Sequence, residues 1–79
     1  AVNGLVNNQQ LKQNNTAREG DILLITKPIG VGILSTAQKR KVLQPEHDGI
    51  AVKWMTQLNK AGALLSSLPG VHAMTDVTG

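Results

Sequence analysis

The chain contains no cysteine, no phenylalanine and no tyrosine, and Trp54 is its only aromatic residue. Without cysteine there is neither a disulfide framework nor a thiolate zinc site to support a small domain. That absence excludes no compartment. Without Phe or Tyr there is no platform on which single-stranded bases stack. A core made almost wholly of Ile, Leu, Val, Met and Ala is expected, and it lacks large anchors. No apolar run approaches the ~18 residues that a membrane span needs, so no membrane association is expected. Acidic residues are also few, five against eight Lys and Arg, giving a net charge of +3. That excess is modest for nucleic-acid binding, and none is expected. The one basic cluster, Lys39-Arg40-Lys41, fits a solvated helix C-terminus where cations offset the dipole; phosphate binding is the alternative. The start at Ala1, with no charged-then-apolar leader, predicts no signal peptide.

What is present is enough for one domain at most. The 79 residues fall short of the ~100–200 typical of a domain. A chain of this size buries only about 60% of its unfolded surface, so a marginal core is expected. Residues 1–6 alternate weakly and read as a short strand containing Gly4. The amide-rich run Asn7-Asn8-Gln9-Gln10-Leu11-Lys12-Gln13-Asn14-Asn15-Thr16 offers little to bury and reads as a linker or exposed loop. Arg18-Glu19-Gly20-Asp21 is a turn. Ile22-Leu23-Leu24-Ile25-Thr26 follows as the strongest strand, apolar on both faces like a central one, and Lys27-Pro28 stops it.

Beyond Gly30-Val31-Gly32, residues 33–42 read as a helix with Ile33, Leu34, Ala37 and Lys41 along one face. Pro45 suits the first turn of a new helix or the break before it, and Asp48 is a candidate N-cap. A longer helix is predicted from the rhythm of Ala51, Met55, Leu58, Ala61 or Gly62, Leu65 and Leu68, ended by Pro69-Gly70. Residues 71–77 read as a closing strand. This order predicts an α+β fold, a short sheet with two helices packed on one face.

Candidate sites are sparse. Asp76 stands between Thr75 and Thr78 where the closing strand runs into Gly79. A carboxylate there either accepts hydrogen bonds from a turn or holds a metal or phosphate, glycine permitting close backbone approach. A cation such as Mg²⁺ takes one or two carboxylates with phosphate oxygens, so Asp76 would be part of a site. Gly30-Val31-Gly32 is either a tight turn before a helix or a weak phosphate cradle, and it lacks the Gly-Lys-Ser/Thr of a P-loop. Lys27 is either an exposed strand-end lysine or within reach of a phosphate. His47 and His72 have no partner at metal-ligand spacing and form no catalytic dyad by sequence. Met55 and Met74 read as core filler.

Taken together, several segments resemble one family. Thr26-Lys27-Pro28-Ile29-Gly30-Val31-Gly32-Ile33-Leu34, preceded by Gly20-Asp21, is similar to the signature opening the C-terminal domain of selenophosphate synthetase (selenide, water dikinase). His72-Ala73-Met74-Thr75-Asp76-Val77-Thr78-Gly79 resembles that family's second signature. Leu43-Gln44-Pro45-Glu46-His47 and Met55-Thr56-Gln57-Leu58-Asn59-Lys60-Ala61 fall between them at family-like spacing. Residues 1–6 resemble the last strand of its N-terminal domain.

The resemblance implies an aminoimidazole-ribonucleotide-synthetase-like C-terminal domain, present in part. Residues 1–16 would be the end of the preceding domain plus a linker, and residues 17–79 the first part of the C-terminal domain. It further implies a cytoplasmic, Mg²⁺-dependent homodimeric enzyme that converts ATP, selenide and water to selenophosphate, AMP and phosphate. Asp76 matches the family's metal–phosphate aspartate. The family's catalytic Cys or selenocysteine, its nearby lysine and its other metal-binding aspartates have no counterpart here, so the chain alone is expected to be inactive. Two alternatives remain. One is another ATP-dependent enzyme of the same superfamily. The other is a non-catalytic piece that self-associates through exposed strand edges.

Overall fold

Two glycines decide where helices begin. Gly30 (φ 112°) and Gly49 (φ 78°) hold the left-handed conformation immediately before α1 (Val31–Lys39) and α2 (Ile50–Thr56), a backbone state that glycine enters without steric cost. The structure is a computed structural model that describes residues 1–79. It contains these two helices, a third, α3 (Lys60–Ser66), and short 3-10 turns at Asn8–Gln10 and Pro45–His47. The chain divides into two compact units, Ala1–Leu24 with Lys60–Thr75, and Ile25–Asn59 with Asp76–Gly79. No helix is long and apolar enough to cross a membrane.

In the second unit α1 packs on α2. Val31, Leu34 and Ala37 form the half-buried face of α1, while Ile33, expected on that face, is exposed. On α2 the inward residues are Ile50, Ala51 and Trp54, and Ala51 is the one buried apolar residue of the chain. Helix α1 ends in a tight reversal. Arg40 N–H donates to Thr36 O, Lys41 N–H to Gln38 O and Val42 N–H to Ala37 O, with Lys41 at φ 59° in a position usually given to glycine. The basic triplet therefore lies at a helix C-terminus and is exposed. The candidate cap Asp48 is not used, since Gly49 occupies the N-cap of α2 and no side chain caps it.

The predicted long helix is two helices. It breaks at Gln57, whose backbone is extended (φ −80°, ψ 118°). The cause lies outside the local rhythm. Lys27 Nζ donates to Trp54 O at 3.0 Å and to Gln57 O, taking carbonyls that a continuing helix would use and placing a cation at the negative end of α2. Asn59 Nδ2 donates to Thr26 Oγ1 at 3.0 Å across the same junction. Met55 and Leu58, predicted to face inward, are exposed.

The expected sheet is absent, and the α+β prediction is overturned: the chain has helices and turns but no strand. Extended backbone becomes a strand only when its N–H and C=O groups pair along a neighbour. Residues 22–25 make no backbone hydrogen bond. Residues 71–74 make one to a segment distant in sequence, Met74 N–H to Gln13 O at 3.0 Å, and one bond is not a ladder. Ile22, Leu23, Leu24 and Ile25 are 67–91% exposed, which leaves unrealised about 1.5–3 kcal/mol per side chain that burial would supply. Exposed surface is 7170 Å², against about 4,600 Å² for a typical folded monomer of this mass.

Candidate functional site

Within the second unit the two glycine-bearing motifs meet. The first turn of α1 carries Gly32, whose N–H donates to the Gly79 carbonyl at 3.2 Å. The approach is close enough that a Cβ on Gly32 would fall 2.6 Å from that oxygen. Gly79 thereby lies against the start of α1, beside an open groove to which Ile33, Thr36, Ala37 and Arg40 contribute, and Asp76–Gly79 belongs to the same unit as that helix. Gly30-Val31-Gly32 thus forms a turn entering a helix, and its second glycine receives a backbone carbonyl.

Asp76 is exposed. Its carboxylate, and the hydroxyl of Thr78 two residues on in the same unit, are oxygen donors of the kind a hard cation takes. No group of three or more His, Asp or Glu side chains converges anywhere in the chain. The donor chemistry fits Mg²⁺ in kind, with Asp76 supplying one carboxylate rather than a complete cage. Lys27 does not extend toward a phosphate, because its ammonium is engaged by the α2 carbonyls. His47 is exposed at the end of the Pro45–His47 turn.

The first unit holds a hydrogen-bonded aspartate–histidine pair that sequence spacing did not reveal. His72 Nδ1 lies 2.7 Å from Asp21 Oδ1, the side chains being 28% and 27% exposed. Asp21 Oδ2 accepts the Arg18 N–H at 2.8 Å, closing the turn predicted around Gly20. That backbone donor, followed by the His72 hydrogen bond, holds the Asp21 carboxyl below the usual carboxylate range. The His72 carbonyl accepts from Thr16 Oγ1 at 2.6 Å, and Lys12 Nζ donates to Leu68 O at 3.0 Å. The amide-rich stretch therefore binds the chain leading to Thr75 through Lys12, Gln13 and Thr16. Neither an aspartate and a histidine 51 residues apart nor a threonine in a polar run carries a spacing signal. The Gly20-Asp21 turn was the only local cue.

A family described as "AIR synthase related protein, C-terminal domain" matches residues 18–79. The chain is 58% identical over all 79 residues to the selenide, water dikinase of Aeromonas salmonicida (strain A449). It is 54% identical over the same length to that of Yersinia pseudotuberculosis serotype I (strain IP32953), and 49% to that of Escherichia coli O139:H28 (strain E24377A / ETEC). In each comparison the whole of this chain is covered, and it spans 23% of the relative's length. No solved structure matches.

Proposed function

The chain belongs to the AIR synthase related protein, C-terminal domain family, and from that premise we propose that it is part of a selenide, water dikinase. The reaction is ATP, selenide and water to selenophosphate, AMP and phosphate, carried out by a cytoplasmic homodimer. The observation that carries this reading is the unbroken similarity, 58% over the entire chain, to an enzyme of that name. It takes in both motif segments, residues 26–34 and 72–79.

Asp76 is the residue of this chain that serves the chemistry. Its carboxylate would hold Mg²⁺, and the bound ion would supply positive charge to the transferring phosphates. Asp76 opens the segment whose Gly79 lies against the first turn of α1. Nucleophile and further metal ligands come from outside these residues, so the 79-residue chain is a contributor to the site and not the whole of it. The competing superfamily enzymes use ATP without selenide, so selenide dependence separates the readings.

The test is product analysis with the full-length protein that carries this chain. ATP should yield AMP and phosphate only when selenide is present, and Asp76→Asn should lower turnover at least a hundredfold, the order of loss when a main electrostatic contact to the transition state is removed. ADP as the final product, or full Mg²⁺-dependent activity in Asp76→Asn, would contradict the proposal.

A further inference from the structure

Glycine occurs inside two helices, and its surroundings differ. A Cβ on Gly62 in α3 meets nothing within 4 Å, whereas one on Gly32 in α1 falls 2.6 Å from the Gly79 oxygen and 2.9 Å from its Cα. Gly32 is not among the residues with positive φ, so the backbone there does not require glycine. Alanine is also the better helix former. Neither conformational freedom nor helix propensity accounts for Gly32. The space taken by Gly79 does.

We propose that Gly32 is a positioning residue for Asp76. Its missing side chain and its donated N–H fix how Asp76–Gly79 lies on the first turn of α1, and so where the Asp76 carboxylate is presented. The inference rests on the metal-holding role of Asp76 proposed above. Asp76 and Gly79 are three residues apart, at most about 10 Å of chain, and both belong to the same unit as Gly32. Alanine at position 32 would have to push the Gly79 oxygen out to the 3.4 Å where ordinary contact begins, a move of about 0.8 Å. Misplacement of a site by about 1 Å is enough to cost on the order of a hundredfold in rate, and loss of a ligand's support typically weakens metal binding about 10–100-fold.

The experiment titrates Mn²⁺, the metal alone, into the full-length protein and reads free ion by electron paramagnetic resonance. Wild type, Gly32→Ala, Asp76→Asn and Gly62→Ala are compared, each with a thermal melt. Gly62→Ala should bind as wild type. Asp76→Asn and Gly32→Ala should each bind about tenfold more weakly or worse, with Gly32→Ala keeping a cooperative melt. Wild-type binding by Gly32→Ala, beside weakened binding by Asp76→Asn, overturns the positioning inference alone. Wild-type binding by both overturns the role of Asp76 itself. If Gly32→Ala loses its cooperative melt, an amide-to-ester replacement at residue 32 decides, since it deletes the N–H donated to Gly79 and adds no bulk. Weakened Mn²⁺ binding by the ester supports the inference, and wild-type binding overturns it.

Discussion

Residues 22–25 and residues 71–74 are four-residue segments with strand-like sequences and no regular secondary structure, and the structure treats them in opposite ways. The first, Ile-Leu-Leu-Ile, is the more apolar and stands 67–91% exposed without a backbone hydrogen bond. The second, Val-His-Ala-Met, is half-buried throughout. It is held by Met74 N–H on Gln13 O, by Thr16 on the His72 carbonyl and by the His72–Asp21 pair. Hydrophobicity does not rank their burial. Polar groups supplied by residues 12–21 do, because an extended segment stays in place only when its backbone groups find partners.

The largest effect on this contrast should come from Asp21→Asn, which removes the charge opposite His72 and weakens the acceptor of the Arg18 N–H. Backbone amides of residues 71–74 should then exchange with solvent at rates approaching those of residues 22–25. Acid should do the same to the unsubstituted chain, with a definite sign. The folded carboxyl binds its proton less tightly than the unfolded one, so the tie contributes fully above the ordinary carboxylate range and is lost as pH falls through the lowered value. Protection measured against pH should stay flat near neutrality and fall on the acid side, and in Asp21→Asn this acid limb should vanish.

The smallest effect should come from Leu24→Ser. Leu24 is 74% exposed, and substitutions at sites without packing or hydrogen bonds usually change stability by within about 0.5 kcal/mol. Chemical denaturation of the 79-residue chain reads this directly. A loss above about 2 kcal/mol, the scale of a buried leucine truncated to a small residue, would mean that residues 22–25 are packed, and the contrast would collapse.

The parts of the fold legible in the sequence were those set by local backbone chemistry. The turn at Gly20, the entry to α1 at Gly30 and the placing of Pro45 in a first turn all follow from residues that accept few conformations. The helix break at Gln57 was not legible, because the rhythm of Ala51, Met55 and Leu58 runs straight through it and the deciding group is Lys27. The absence of a sheet has a related reason. An apolar run identifies an extended segment but says nothing about whether a neighbour offers a ladder, and for residues 22–25 this chain offers none. At the site, Asp76 stood out as a carboxylate between hydroxyl residues. The approach of Gly32 to Gly79, 47 positions away, leaves no trace that composition or periodicity detects.

The claim that polar ties, rather than apolar content, decide which segments are held is tested most directly by hydrogen–deuterium exchange across the 79-residue chain at neutral pH. The account predicts that the Met74 amide is protected while the amides of residues 22–25 exchange at the rate of an unstructured peptide. Protection of residues 22–25 equal to or greater than that of Met74 would contradict it.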